Sequence, residues 1–167
     1  MKDLIDKISS YNIFNYLFPG VVFAAMATRL SSYNLLIDDL VVGVFVYYLY
    51  GMVISRIGSI IIEPLLRRLK VIRYADYKEL VAASQADVKI DILIEQSNTY
   101  RTLAAMFLCV LPVIAADVSR GAVPGVSDYG LFLGLLLLAW LFLCSFVKQT
   151  GYITDRVAAV NQGAATR

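Results

Sequence analysis

Four long apolar runs, each about one bilayer in length, set the pattern of the chain. A helix needs about 20 mostly apolar residues to cross roughly 30 Å of hydrocarbon. The first run extends from Ile13 to about Leu30 and the second from about Leu40 to Ile62. The third covers Leu103 to Ala116, with Thr99 to Thr102 available to lengthen its start. The fourth, Tyr129 to Val147, is built around Leu135-Leu136-Leu137-Leu138. The pattern predicts an all-α fold, a polytopic membrane helical bundle with four transmembrane helices and a helical segment between the second and third. The expected organisation is an amphipathic start at 1–12, a first transmembrane pair at 13–62, a cytoplasmic helical segment at 63–101, a second transmembrane pair at 102–147 and a tail at 148–167.

The polar stretch between the second and third spans has a pattern of its own. Pro64 suits the first position of a helix. After it, Leu65, Leu66, Leu69 and Ile72 make an apolar face beside Arg67, Arg68, Lys70 and Arg73. That reads as an interfacial helix with its basic residues at the membrane surface, near anionic headgroups. Asp76, with Glu79 three residues on, resembles a capping box and opens a second helix running close to Ser97. On it Asp87, Asp91 and Glu95 fall on one i, i+4 stripe. Like charges at this spacing repel, so the stripe is either solvated or a docking site for a partner in the cytosol. Tyr152 to Val160 is expected to form a short helix beside it, with Gln162 to Arg167 frayed.

Charge orients the spans. Loops facing the cytoplasm carry the excess of Lys and Arg. Arg67, Arg68, Lys70, Arg73, Lys78, Lys89 and Arg101 lie between the second and third spans, Lys2 and Lys7 at the start, and Lys148, Arg156 and Arg167 at the end. The two alternate loops hold only Arg29 and Arg120 between them. Both termini and the middle segment are therefore expected inside, in a bacterial inner membrane. The start, Met1 to Ile8, is charged throughout and lacks the apolar core of a cleavable signal, so the first span is expected to be retained.

Composition excludes more than it selects. The chain is 59% hydrophobic and 17% charged over 167 residues, too apolar for a water-soluble domain of this size. It contains no histidine, which removes the commonest general base and metal ligand. Cys109 and Cys144 stand far apart in apolar runs. There is no phosphate loop, dinucleotide fingerprint or nucleophile elbow, so neither enzymatic activity nor a cofactor or metal is expected. A net charge of +2 suggests no direct contact with nucleic acid.

Helices in lipid associate through small residues. Gly20, Ala24 and Thr28 form one stripe, Gly43, Gly51, Ser55 and Ser59 a second, and Gly130 and Gly134 a third. These fit packing within one chain or between copies, and a homo-oligomer is expected. Pro19 and Pro112 interrupt the first and third spans, as static kinks or as hinges for gating. Arg56 is the one charge inside the second run. It either snorkels to the interface, with Glu63 within reach as a partner, or marks an intramembrane function. Tyr47, Tyr48 and Tyr50 lie deep in that run, where their hydroxyls need partners.

The stretch Tyr11-Asn12-Ile13-Phe14-Asn15-Tyr16-Leu17-Phe18-Pro19-Gly20, followed by four spans around a basic helical loop, resembles the small four-span proteins of bacterial anti-phage loci, such as the membrane subunit of Kiwa-type systems. The resemblance implies a homo-oligomeric membrane sensor or anchor that recruits a cytosolic effector. A small channel or pore that depolarises the membrane is the alternative.

Overall fold

The computed structural model describes residues 12–118 and 129–165, with side chains for 12–116 and 130–163. The charged start up to Tyr11, and Arg120 and Asp128 between the last two spans, lie outside the described residues.

Among the described residues five helices follow in order: α1 (Ile13–Leu30), α2 (Leu40–Arg68), α3 (Tyr77–Ala86), α4 (Lys89–Val118) and α5 (Tyr129–Ala165). Among the described residues, α1, α2, α4 and α5 are long and apolar enough to cross a membrane. The most extensive packing is between α4 and α5, followed by α1 against α2. The central core is made by Ile54, Met106, Val110, Ile114, Leu135, Ala139 and Phe146. The outer faces of α2 and α5, including Leu40, Phe45, Leu137 and Trp140, remain exposed, as a lipid-facing surface should.

Two of the helices contain a π-helical turn, Ile13–Leu17 in α1 and Gly58–Ile62 in α2. Each turn ends two residues before a proline, Pro19 and Pro64 respectively. A proline ring collides with the carbonyl four residues earlier and offers no N–H. Widening the preceding turn, so that Phe18 N–H bonds Ile13 O and Glu63 N–H bonds Gly58 O, lets the helix continue past the ring. Pro64 therefore does not open a separate interfacial helix. Arg67 and Arg68 form the last turn of α2 itself, and Lys70 and Arg73 follow in the turn beyond. Pro19 and Pro112 also leave their helices unbroken.

α2 stops through a Schellman arrangement. Lys70 N–H bonds Arg67 O and Val71 N–H bonds Leu66 O, each at 3.0 Å. The residue that must turn left-handed here is Lys70, at φ 57°, a conformation that glycine normally supplies.

The expected helix from Asp76 towards Ser97 is two helices. α3 opens with Asp76 accepting Lys78 N–H and closes at Ala86, because Asp87 is extended, at φ −142° and ψ 99°. Asp87 then caps the next helix, accepting Lys89 N–H at 3.1 Å. α4 runs from there through the third span without a break. Its 30 residues measure about 45 Å and the 37 of α5 about 55 Å, both beyond the hydrocarbon thickness. The expected short helix at Tyr152–Val160 and the expected frayed residues 162–165 are likewise the continuation of α5, which reaches Ala165; Thr166 and Arg167 lie outside the described residues. The excess length of α4 and α5 projects at one end of the bundle, where α3 joins it. This stalk has its own apolar centre: Ala83, Ile90, Ile153 and Val157.

Candidate functional site

The α1–α2 pair is seated by two glycines. A Cβ on Gly20 would fall 1.8 Å from Tyr47 O, and one on Gly51 would fall 1.7 Å from Tyr16 O. The two backbones are in direct contact, so only glycine fits at either position. Ala24 is fully buried beside them. Thr28 accepts Leu35 N–H at 2.9 Å and holds the loop after α1. Gly43 packs against Ile37 and the Tyr47 ring, and Ser59 bonds back to Arg56 O. Both stripes are used chiefly within the chain. Gly130 and Gly134 differ: a Cβ on either would meet nothing within 4 Å from the rest of the described residues.

Next to the glycine crossing is a buried polar node. Thr102 Oγ1 lies 2.9 Å from Asn15 Oδ1, 3.1 Å from Ser55 Oγ and 2.9 Å from Asn98 O. The Thr102 hydroxyl is the donor in all three and has one proton to give, so Asn15, Ser55 and the Asn98 carbonyl compete for it. The node ties α1, α2 and α4 together in surroundings where an unpaired polar group would be costly. Tyr47 is satisfied as its depth requires, its hydroxyl accepting Ile37 N–H at 2.9 Å. Tyr48 and Tyr50 make edge contacts with Tyr16 and Phe23.

At the base of the stalk Glu63 pairs with Arg101 at 2.5 Å, with their side chains 21% and 13% exposed. Arg101 also lies over the Phe146 ring, 5.9 Å from its centre, and its Nε has no hydrogen-bond partner among the described residues. Burial, followed by the nearby Glu63 charge, holds the pKa of the Tyr74 hydroxyl above the ordinary phenol value. Arg67 covers the other side of that ring at 5.6 Å. Glu63 is thus taken by Arg101, not by Arg56 as the helical spacing suggested. Arg56 is exposed on the outer face of α2, in a shallow apolar groove between Met52, Val53, Ile60 and Ile61.

The stalk separates the acidic stripe. Asp87 bonds Arg156 Nε at 2.6 Å, and this bond, ahead of the Lys89 amide, keeps its carboxyl below the ordinary range. It is a structural residue between α3, α4 and α5. Asp91 and Glu95 stay exposed on α4. Ile92, 51% exposed, follows Asp91 on α4, and Val88, 72% exposed, stands in the turn just before the helix. Polar bonds such as Ser97 to Thr150 and Gln149 to Gln96 join the opposite side of α4 to α5.

Sequence reasoning did not single out Asn15, Thr102 or Tyr74 and used Arg101 and Arg156 only to orient the chain. Asn15 carried a usable signal, as an amide inside an apolar run. Arg101 did not, since its partner is 38 residues away. Among the described residues no group of three His, Cys, Asp or Glu side chains could hold a metal ion. No family model matches the chain, and no curated protein or solved structure matches it either.

Proposed function

We propose that the chain is an oligomeric inner-membrane sensor or anchor that recruits a cytosolic effector in bacterial anti-phage defence. In this reading both termini and the stalk lie in the cytoplasm, on the side favoured by the Lys and Arg distribution. The observation that carries it is the outer side of the stalk at the start of α4, where Ile92, and Val88 in the turn just before the helix, lie exposed near Asp91 and Glu95. Apolar side chains within the spans have lipid to cover them. These two stand on a stalk beyond the spans, and an exposed apolar patch rimmed by charge is what a protein partner covers. The long rigid helices below couple any movement of the bundle to that face. The side of Gly130 and Gly134 that meets none of the described residues is open for a second copy.

The test is native mass spectrometry of the tagged protein, gently solubilised after expression with its neighbouring genes. A defined oligomer carrying a soluble partner is expected. Changing Asp91, Ile92 and Glu95 together to lysine should abolish partner recovery and leave membrane insertion intact. Unchanged recovery would remove the docking assignment. The pore reading has less support, because Asn15, Ser55, Thr102 and Tyr47 turn their polar atoms to one another or to backbone and leave no polar stripe for ions. A loss of membrane potential on overexpression, blunted by Ser55→Leu, would restore it.

A further inference from the structure

The turn after α2 passes across α5 and leaves a cleft of about 340 Å³ between them. Lys70, Val71 and Arg73 line one wall; Val147, Gly151 and Asp155 line the other. Nothing lies within 4 Å of where a Gly151 side chain would start, so the missing side chain keeps the floor of the cleft open. The Thr154 hydroxyl donates to Arg73 O at 3.0 Å and fixes the turn through its backbone. The Arg73 side chain is left out of the fold. Among the described residues Lys70, Arg73 and Asp155 take part in no ion pair. Two cations and one carboxylate therefore face a half-apolar cleft with their charges uncompensated.

The depth of the cleft identifies what meets it. Val147 is the last residue of the apolar run and Lys148 follows it. Gly151 lies about 6 Å and Asp155 about 12 Å further along the helix at 1.5 Å per residue. The headgroup layer of a leaflet is about 5–8 Å thick. The apolar floor thus sits at the hydrocarbon edge and Gly151 within the headgroup layer, while the Asp155 backbone lies about 4–7 Å beyond that layer with its side chain inclined back towards the membrane.

We propose that this cleft binds the headgroup of an aminophospholipid of the phosphatidylethanolamine type. Its phosphate lies between Lys70 and Arg73, its primary ammonium meets Asp155, and its glycerol end rests over Val71 and Val147. An anionic headgroup such as phosphatidylglycerol satisfies the cations but brings nothing positive to Asp155. A choline headgroup has no N–H to donate. The apolar floor distinguishes a lipid from a soluble phosphate ester. This inference depends on the spans and not on the docking face of α4.

The full-length protein is placed in nanodiscs with equal amounts of phosphatidylethanolamine, phosphatidylglycerol and phosphatidylcholine, released, and examined for co-purifying lipid by native mass spectrometry. Preferential retention of phosphatidylethanolamine is expected. Lys70→Gly with Arg73→Gln should lower it about a hundredfold, the scale of losing two charge-assisted bonds. Asp155→Asn should remove the preference over phosphatidylglycerol while phosphate-bearing lipid is still held. Arg67→Gln with Arg68→Gln, outside the cleft, should change neither. Arg73→Gln alone supplies the result if the double variant does not fold. Equal retention of the three lipids, a preference for phosphatidylglycerol, or a preference that survives loss of both cations overturns the proposal. Displacement of the lipid by soluble phosphoethanolamine at equal concentration overturns the lipid source.

Discussion

Gly51 of α2 lies directly against the backbone of Tyr16 in α1, so that a methyl group on it would sit 1.7 Å from the Tyr16 carbonyl oxygen. Gly20 meets Tyr47 and Gly51 in the same way from the other side. The obstacle is backbone, so a rotamer change cannot relieve it. Gly51→Ala or Gly20→Ala must push the helices apart, at or above the roughly 1–3 kcal/mol of overpacking a core. Thermal unfolding in detergent should show a large loss for either. Gly134→Ala, which meets nothing within 4 Å, should be neutral or slightly stabilising in the single chain. A Gly134→Ala protein of unchanged stability but lower oligomer order would place the subunit contact there.

The Glu63–Arg101 pair joins α2 to α4 where both helices leave the apolar run. Breaking a buried pair by removing one partner costs about 3–5 kcal/mol, and partial exposure of both side chains brings the expected loss to the lower part of that range. Glu63→Gln should be destabilising because it leaves the Arg101 charge over Phe146 without a counter-charge. Glu63→Gln with Arg101→Met should recover part of the loss, since no unpaired charge remains. A double-mutant cycle followed by thermal unfolding checks this. Additive effects would show that the ion pair contributes nothing beyond its two separate side chains.

The spans were legible because the bilayer imposes one length and one polarity on each, and the runs Ile13–Leu30 and Tyr129–Val147 follow that rule inside the helices that can cross a membrane. Tyr47 was legible for a related reason, since a phenol at that depth must find a partner. The stalk was less so. Charge at Lys148 and Arg101 suggested that the helices ended near the membrane, yet α4 and α5 continue through those positions because Ile90, Ile153 and Val157 bury one another across helices distant in sequence. The acidic stripe failed at Asp87, where capping and an ion pair to Arg156 use the carboxylate. A single helical wheel shows neither. The cleft beside Gly151 depends on where the turn after α2 crosses α5, which no local pattern specifies.

Asp87 makes the stalk acid-sensitive in a defined window. Its folded pKa lies below the ordinary aspartate value, chiefly through the Arg156 hydrogen bond. A depressed carboxylate contributes stability that is fully present above the unfolded value, about 4, and is lost as pH falls through the folded value. Hydrogen exchange at the start of α4 should therefore be unaffected by this group from pH 7 to about 4 and accelerate below that. Asp87→Asn should show weaker protection at pH 7 and lack the acid step. A step centred above pH 5 in the wild type would assign the sensitivity to another group.

Lys70 occupies the left-handed position that ends α2, at φ 57°. For a residue with a side chain this conformation costs about 1–2 kcal/mol. Glycine avoids that cost but loses more backbone freedom on folding, so Lys70→Gly should gain about 0.5–1 kcal/mol. The turn itself should persist, because both of its hydrogen bonds come from backbone N–H groups that glycine retains. Thermal unfolding should show a modest rise in midpoint, read beside lipid retention in the same sample. Higher stability with lower lipid retention would mean that the lysine is kept for its charge in the cleft. A fall in stability would instead mean that the Lys70 side chain makes a contact strong enough to outweigh its backbone strain.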